Sequence, residues 1–332
     1  MGRDMTDLTV FFIFLEVLQR SPPPHLTIIL FSGIYRSNCL VPRRTNLHIR
    51  DPLIGSLIGG KYRLERLLGH GGVAAVYRAR HLVLDRLVVV KLLAPYRRGE
   101  TQHYDWFVRE ARAVNRARHP NIIDIYDIGV SDTGLYYLVM EYFEGDSVEY
   151  LLLQEKVLPV TFATSIIREV ALALACAHHH GIVHRDVKTG NILVNQNCLA
   201  THNLVRLIDF GLASMTGEPR LAEAHDVFGT LEYMSPEQTR GSLLDPPSDM
   251  YSLGIVYYEM VTGRLPFIAH DRRDLLGMHC LNEPRAPSMI DPAIPHRVSD
   301  IIMWMLRKTR EDRLPSMDQL ISELNGISTA TT

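Results

Sequence analysis

Cysteine is scarce in this sequence: Cys39, Cys176, Cys198 and Cys280 are the four among 332 residues. They lie far apart and form no CxxC pair, so spacing offers neither a zinc site nor a disulfide framework. Reduced thiols in a cytosolic protein are the simple reading. Charge of one sign is lacking too. The formal net charge is −2, which leaves no basic surplus to recruit nucleic acid. Long apolar runs are also missing. The most apolar stretch, residues 8–18, is short for a membrane span and carries Glu16. A second run, 26–31, follows Pro22, Pro23 and Pro24. As an export signal the start is poor, because Arg3 is opposed by Asp4 and Asp7 and no small-residue cleavage site is evident. What is present is ordinary globular usage, 46% apolar and 22% charged. The length suits two domains, or one domain of two lobes with a tail.

Residues 1–55 show no sustained periodicity and read as a flexible extension. From Lys61 the texture changes. Residues 62–68 alternate like a strand and lead into Gly69-His70-Gly71-Gly72. Further strands are predicted over 73–80 and 87–93. A helix is predicted over 102–117, ended by His119-Pro120. Strands over 122–128 and 135–141 flank a turn at 131–134. Beyond Gly145 the pattern is helical, with one long apolar helix over 161–179 and others near 248–262, 272–280, 297–307 and 316–325. Strands first and helices after predict a small β-rich lobe joined to a larger helical one.

The most specific signal is His184-Arg185-Asp186-Val187-Lys188-Thr189-Gly190-Asn191, just after the long helix. Eighteen residues past Asn191 comes Asp209-Phe210-Gly211. Phosphoryl transfer needs a carboxylate to receive a hydroxyl proton, a metal to bridge phosphate oxygens, and cations to meet developing charge. Asp186 suits the first role and Lys188 the last. Asn191 and Asp209 supply hard oxygen ligands suited to Mg²⁺.

HRDxKxxN followed by DFG resembles the catalytic and metal loops of eukaryotic-type serine/threonine protein kinases. The resemblance then implies further roles by position. Gly69, His70, Gly71 and Gly72, with Val76, look like the glycine-rich loop over the ATP phosphates. Lys91 resembles the ATP-orienting lysine, Val89 its neighbour against the adenine, and Glu110 the glutamate that pairs with the lysine. Met140 resembles the gatekeeper, and Glu141 to Phe143 the hinge. Thr230 is similar to the threonine that bonds the catalytic aspartate and lysine in Ser/Thr-specific members. Glu237 and Arg313 look like a buried pair, and Asp249 like the aspartate that braces the catalytic loop. His184, Arg185 and Phe210 belong to the matched motifs. The wording around them is most similar to bacterial members.

Taken singly, the weaker signals have ordinary explanations: a hairpin turn, a solvated lysine, a helix cap. The HRDxKxxN block fixes five residue types in eight positions, and each matches by chance about one time in twenty. Its pairing with DFG is what carries the others. His178-His179-His180 reads as a helix terminus with exposed imidazoles rather than a metal site. Trp106 and Trp304 read as core or helix-packing residues. Glu144, Asp146 and Glu149 read as a solvated face, with attraction for a basic substrate as the alternative.

Three departures from the family pattern stand out. Ala74 replaces the third loop glycine, and alanine resists positive φ. Val89 replaces the usual alanine and narrows the adenine slot. Residues 220–226 hold no serine or threonine where related kinases carry a phosphothreonine facing the Arg185 position. Glu223 or Asp226 is expected to supply that negative charge permanently.

The resemblance implies an α+β, bilobal protein-kinase-like fold. Its β-rich N-lobe, with a five-stranded antiparallel sheet and one helix, spans residues 56–141. Its mainly helical C-lobe spans 144–326, with a tail at 327–332. It also implies ATP and Mg²⁺, or Mn²⁺, as cofactors and protein Ser/Thr hydroxyls as acceptors. Self-association for autophosphorylation is a further expectation, as is a cytoplasmic location, with membrane attachment through residues 8–18 as the alternative. A catalytically inactive scaffold of the same fold is the rival reading.

Overall fold

The computed structural model describes residues 51–71, 74–93, 108, 111–112, 114–198, 204–210, 231–242 and 244–328. The chain divides into two compact units. One comprises residues 1–108 with 124–144, the other 109–123 with everything from 145 onward.

The first unit is built on an antiparallel sheet of six strands: β1 (Leu57–Ile58), β2 (Tyr62–Gly71), β3 (Ala74–His81), β4 (Arg86–Leu93), β5 (Ile125–Val130) and β6 (Tyr136–Glu141). Their spatial order is β1-β2-β3-β4-β6-β5. The sixth strand corrects the expected five. Leu57 and Ile58 fold back onto Arg63 and Tyr62 because Gly59 and Gly60 adopt φ of +55° and +69°. A side chain at such φ is disfavoured, so the two-glycine turn permits a hairpin too short to leave a periodic signal. Alternate residues of each strand form the core. Ala75, Tyr77 and Ala79 of β3 meet Val88, Val90 and Leu92 of β4 and Tyr137 and Val139 of β6. Leu53, ahead of the expected boundary at 56, packs into the same cluster, and Tyr77 Oη donates to Asp51 Oδ2 at 2.9 Å.

The second unit is mainly helical: α1 (Val148–Glu155), α2 (Val160–His179), α3 (Pro236–Thr239), α4 (Pro246–Thr262), α5 (Arg272–Leu281), α6 (Pro287–Ile290), α7 (His296–Met305) and α8 (Met317–Ser328). The helix α2 is long and apolar enough to cross a membrane by length and composition, yet 56% of its apolar window is packed inside the protein. Ala163, Ile166, Ile167, Val170, Ala173, Leu174 and Ala177 make it a core helix. Its neighbour α4 starts with proline at its first turn and ends at Gly263, whose φ is +69°. Most residues of α4 are buried on all sides, so its sequence is largely apolar rather than amphipathic, with Asp249 and Ser248 among the buried polar exceptions. Trp304, expected as a core or helix-packing residue, is 37% exposed on α7, with the Arg297 guanidinium 5.6 Å from its ring centroid.

A small sheet of β7 (Asp146–Ser147), β8 (Ile192–Val194) and β9 (Val205–Leu207) lies in this unit. It carries the motifs. β8 pairs with β9 in the register Ile192↔Leu207 and Val194↔Val205. Asn121 clips β9 from outside, donating through Nδ2 to Val205 O at 3.1 Å and to Glu169 at 2.7 Å.

Candidate active site

In the second unit the catalytic-loop residues sit where β8 and β9 begin and end. Asn191 immediately precedes β8, and Asp209 follows β9 by two residues. The ladder extends one step past the sheet, where Ile208 N–H donates to Asn191 O at 3.0 Å. Asn191 therefore stands opposite Ile208, the residue before the DFG motif.

Asp186 is the convergence point. Its Oδ2 lies 3.0 Å from Lys188 Nζ, and Asn191 Nδ2 donates to the same oxygen at 3.1 Å and to Asp186 O at 2.8 Å. Asp186 keeps 13% of its side chain exposed and Lys188 23%, so both are held yet reachable. Both Asn191 amide hydrogens are engaged by Asp186, which leaves Oδ1 as the acceptor end of the amide. Asn191 Oδ1 and the Asp209 carboxylate are hard oxygen donors, the type a divalent metal would accept.

His184 is fully buried, and burial pushes its imidazole below the ordinary range, outweighing the pull of Asp249 and Asp186. Its two nitrogens show the tautomer. Nε2 faces the carbonyl of Ile208 at 3.0 Å and must donate, while Nδ1 accepts from Asp186 N–H at 3.2 Å. A neutral ring thus joins the catalytic loop to β9. Its face also packs on Phe210, with centroids 4.5 Å apart.

Asp249 stands on the buried α4. It accepts from His184 N–H through Oδ2 and from Arg185 N–H through Oδ1, both at 2.8 Å. Arg185 has φ of +70° and Asp209 of +61°. Such backbone costs about 1–3 kcal/mol per residue and persists where surroundings over-determine it. For Arg185 the Asp249 bonds and Gln238 Nε2, which donates to Arg185 O at 2.8 Å, do this. Gln238 is itself oriented by a capping box with Ser235 at the start of α3. The residue before it, Glu237, meets Arg313 at 2.8 and 2.9 Å.

The histidine run departs from expectation. His178 is 9% exposed, and its Nε2 donates to Asp249 Oδ2 at 2.8 Å, so it is a third brace on that carboxylate; His179 is 68% exposed. Sequence reasoning also passed over Thr189, Tyr233, Gln238 and Glu259. Tyr233 Oη donates to Glu259 Oε2 at 2.6 Å and lies 2.8 Å from Thr189 Oγ1. Nothing in the periodicity marks Glu259, a second carboxylate on the largely apolar helix that also carries Asp249.

In the first unit, strand register sorts the remaining candidates. Val76 pairs with Lys91, and Val89 with Met140. Residues two apart share a face, so Val76, Val89, Lys91 and Met140 line one side of the sheet, opposite the Val88–Val90–Leu92 core. Val89 is fully buried; Val76, Met140 and Phe143 are nearly so, and Lys91 and Glu141 are half-buried. Gly69, His70 and Gly71 end β2, paired with Val76, Ala75 and Ala74. Gly72, Glu110, Glu223, Asp226 and Thr230 lie outside the described residues.

A sequence model of the protein kinase domain matches residues 62–324. Serine/threonine-protein kinase pkn3 of Myxococcus xanthus is 37% identical over 283 residues, covering 83% of this chain and 52% of that protein. PrkC of Bacillus subtilis, also a serine/threonine-protein kinase, is 34% identical, with coverage of 82% and 41%. A probable serine/threonine-protein kinase of Clostridium perfringens is 36% identical, with coverage of 83% and 39%. The chain thus spans 39 to 52% of the length of these relatives. Among solved structures, the kinase domain of Mycobacterium tuberculosis PknI aligns with a TM-score of 0.64 at 25% identity, covering 82% of this chain and 98% of that domain.

Proposed function

Since the chain belongs to the protein kinase family, we propose that it transfers the γ-phosphoryl group of ATP to serine or threonine hydroxyls of proteins. Members of this family use ATP and a divalent metal; Mg²⁺ is the metal we propose here, with Mn²⁺ as a substitute. The observation that carries the reading is the meeting of Asp186, Lys188 and Asn191 within 3.1 Å, beside the strand end that leads to Asp209.

The acceptor hydroxyl oxygen forms a bond to the γ-phosphorus while the bond to the β,γ-bridging oxygen breaks, and ADP leaves. Asp186 takes the hydroxyl proton. Lys188, already oriented by Asp186, meets the charge on the transferring oxygens. Asn191 Oδ1 and Asp209 are the residues that would hold the metal, which when bound neutralises phosphate charge and fixes phosphate geometry. Lys91 is the proposed phosphate ligand from the first unit, with Glu110 as its ion-pair partner. Val89 and Met140 flank the adenine, Glu141 to Phe143 supply hinge backbone, and Thr230 selects serine or threonine acceptors. The domain is proposed to comprise an N-lobe over 56–141 and a C-lobe over 144–326. Glu223 or Asp226 stands in for an activating phosphate. Autophosphorylation between two copies and action on the cytoplasmic side, where Mg·ATP is available, complete the proposal.

The test is transfer of labelled γ-phosphate to the protein itself and to a generic acceptor. Asp186→Asn should lower the rate by about 10²–10⁴-fold, the usual range for a general base. A wild-type protein that binds Mg·ATP without transferring phosphate would instead establish the inactive scaffold.

A further inference from the structure

A short hydrogen-bond chain ties the catalytic loop to the buried helix α4. Tyr233 Oη donates its one proton to Glu259 Oε2 at 2.6 Å. Thr189 Oγ1 lies 2.8 Å from the same phenol oxygen and must therefore be the donor in that second bond. Thr189 is 2% exposed, so solvent offers its hydroxyl little alternative. The far end is equally fixed, since Ser252 Oγ of α4 donates to Tyr233 O at 2.8 Å. The chain ends one residue from Lys188 and two from Asn191.

We propose that Glu259 is a positioning residue for phosphoryl transfer, holding the 188–191 stretch through Tyr233 and Thr189, and that protonation of its carboxylate loosens this hold. The inference rests on the proposed function and adds a regulation to the same site.

The surroundings of Glu259 make protonation accessible. Burial pushes its carboxyl up; the Tyr233 bond opposes this, but the Glu149 and Glu232 carboxylates add to it, and the result is about 7. Glu149 faces it from α1, and Glu232 and Tyr233 from the turn Leu231–Tyr233. Both neighbouring carboxyls are themselves pushed up by burial, against the countering charge of Lys188 on the catalytic loop. Glu149 also lies against that loop, its Oε2 3.3 Å from where a Cβ on Gly190 would stand. As a carboxylate, Glu259 accepts a charge-assisted bond about twice as strong as a neutral one. As an acid it can donate to Tyr233 instead, which frees the phenol proton to turn on Thr189 and reverses the chain.

The test measures kcat and KM for ATP from pH 6 to 8.5 for wild type, Glu259→Gln and Thr189→Val. Wild-type kcat should rise about fivefold through an ionisation near 7, the worth of one hydrogen bond. Glu259→Gln, whose amide oxygen still accepts from Tyr233 and does not titrate, should flatten that limb. Thr189→Val should lower kcat by a similar factor with KM for ATP unchanged, and flatten it too. Should Glu259→Gln fail to fold, Tyr233→Phe takes its place with the same expected flattening. Wild-type profiles in these variants would overturn the inference alone. Absence of transfer by the wild type at every pH would overturn the proposed function itself.

Discussion

Arg313 grips Glu237 through both carboxylate oxygens, at 2.8 and 2.9 Å, with 0% and 4% of the two side chains exposed. Ser248 Oγ adds a third bond to Glu237 at 2.7 Å. Arg313 also donates to the carbonyls of Arg307, Lys308 and Pro247. One guanidinium thus ties α3, which holds Glu237, to the start of α4 and to the chain just past α7.

Burial alone would raise the Glu237 carboxyl, but the Arg313 bonds and charge, with Ser248, hold it down at about 2. A folded-state value below the ordinary one of 4.5 means stability that is present above pH 4.5 and lost as pH falls toward 2. Arg313→Ala strands a buried carboxylate and should destabilise the protein by about 3–5 kcal/mol. Urea denaturation at pH 7 reads this directly. A loss under 1 kcal/mol would mean that Glu237 finds another partner.

Asp249 serves three donors with two oxygens: His178 Nε2, His184 N–H and Arg185 N–H. Asparagine offers one acceptor oxygen and an NH₂ group. Asp249→Asn should leave at least one buried donor unsatisfied, at about 1–3 kcal/mol. It should also release the positive-φ turn at Arg185, and kcat should fall by about tenfold or more. Thermal melting together with ADP release separates the two effects.

Val89 is fully buried beside Met140 in the strand register. On the proposed adenine site its branched side chain overfills the slot, at about 1–3 kcal/mol. Val89→Ala should therefore tighten ATP binding while lowering the melting temperature. Equal or weaker ATP binding by the variant, measured by calorimetric titration, would show that the slot is not strained.

Activity should survive phosphatase treatment, because Glu223 or Asp226 is proposed to carry the activating charge permanently. A carboxylate supplies one charge where a phosphate supplies nearly two, so the interaction is weaker but constant. Loss of transfer after dephosphorylation would point instead to Ser214 or Thr216 as the switch.

Gly254 of α4 has its missing Cβ pressed by Met305 Cβ at 2.8 Å and Leu306 Cδ2 at 3.0 Å. Alanine has the better helix propensity, yet Gly254→Ala should destabilise by about 1–3 kcal/mol through overpacking. A raised melting temperature would show that the contact between α4 and the end of α7 yields easily.

The sequence by itself determined the family resemblance, the proposed chemistry and most of the elements. Alternating or β-branched apolar runs marked β2 to β6, the apolar stretch marked α2, and the HRDxKxxN and DFG motifs named the groups proposed for phosphoryl transfer, because these signals depend on neighbours along the chain. Tertiary structure alone decided which distant side chains serve them. The two-residue β1 was too short for any period and depended on glycine dihedrals. His178, set aside as an exposed helix end, became a brace because α2 delivers it to Asp249, 71 residues away. Glu259 gained its place in the same manner, since a carboxylate on a mostly buried helix carries no periodic mark and takes its meaning from Tyr233 and Thr189. Local pattern reflects what each residue prefers, whereas hydrogen-bond partners are set by which surfaces burial brings together.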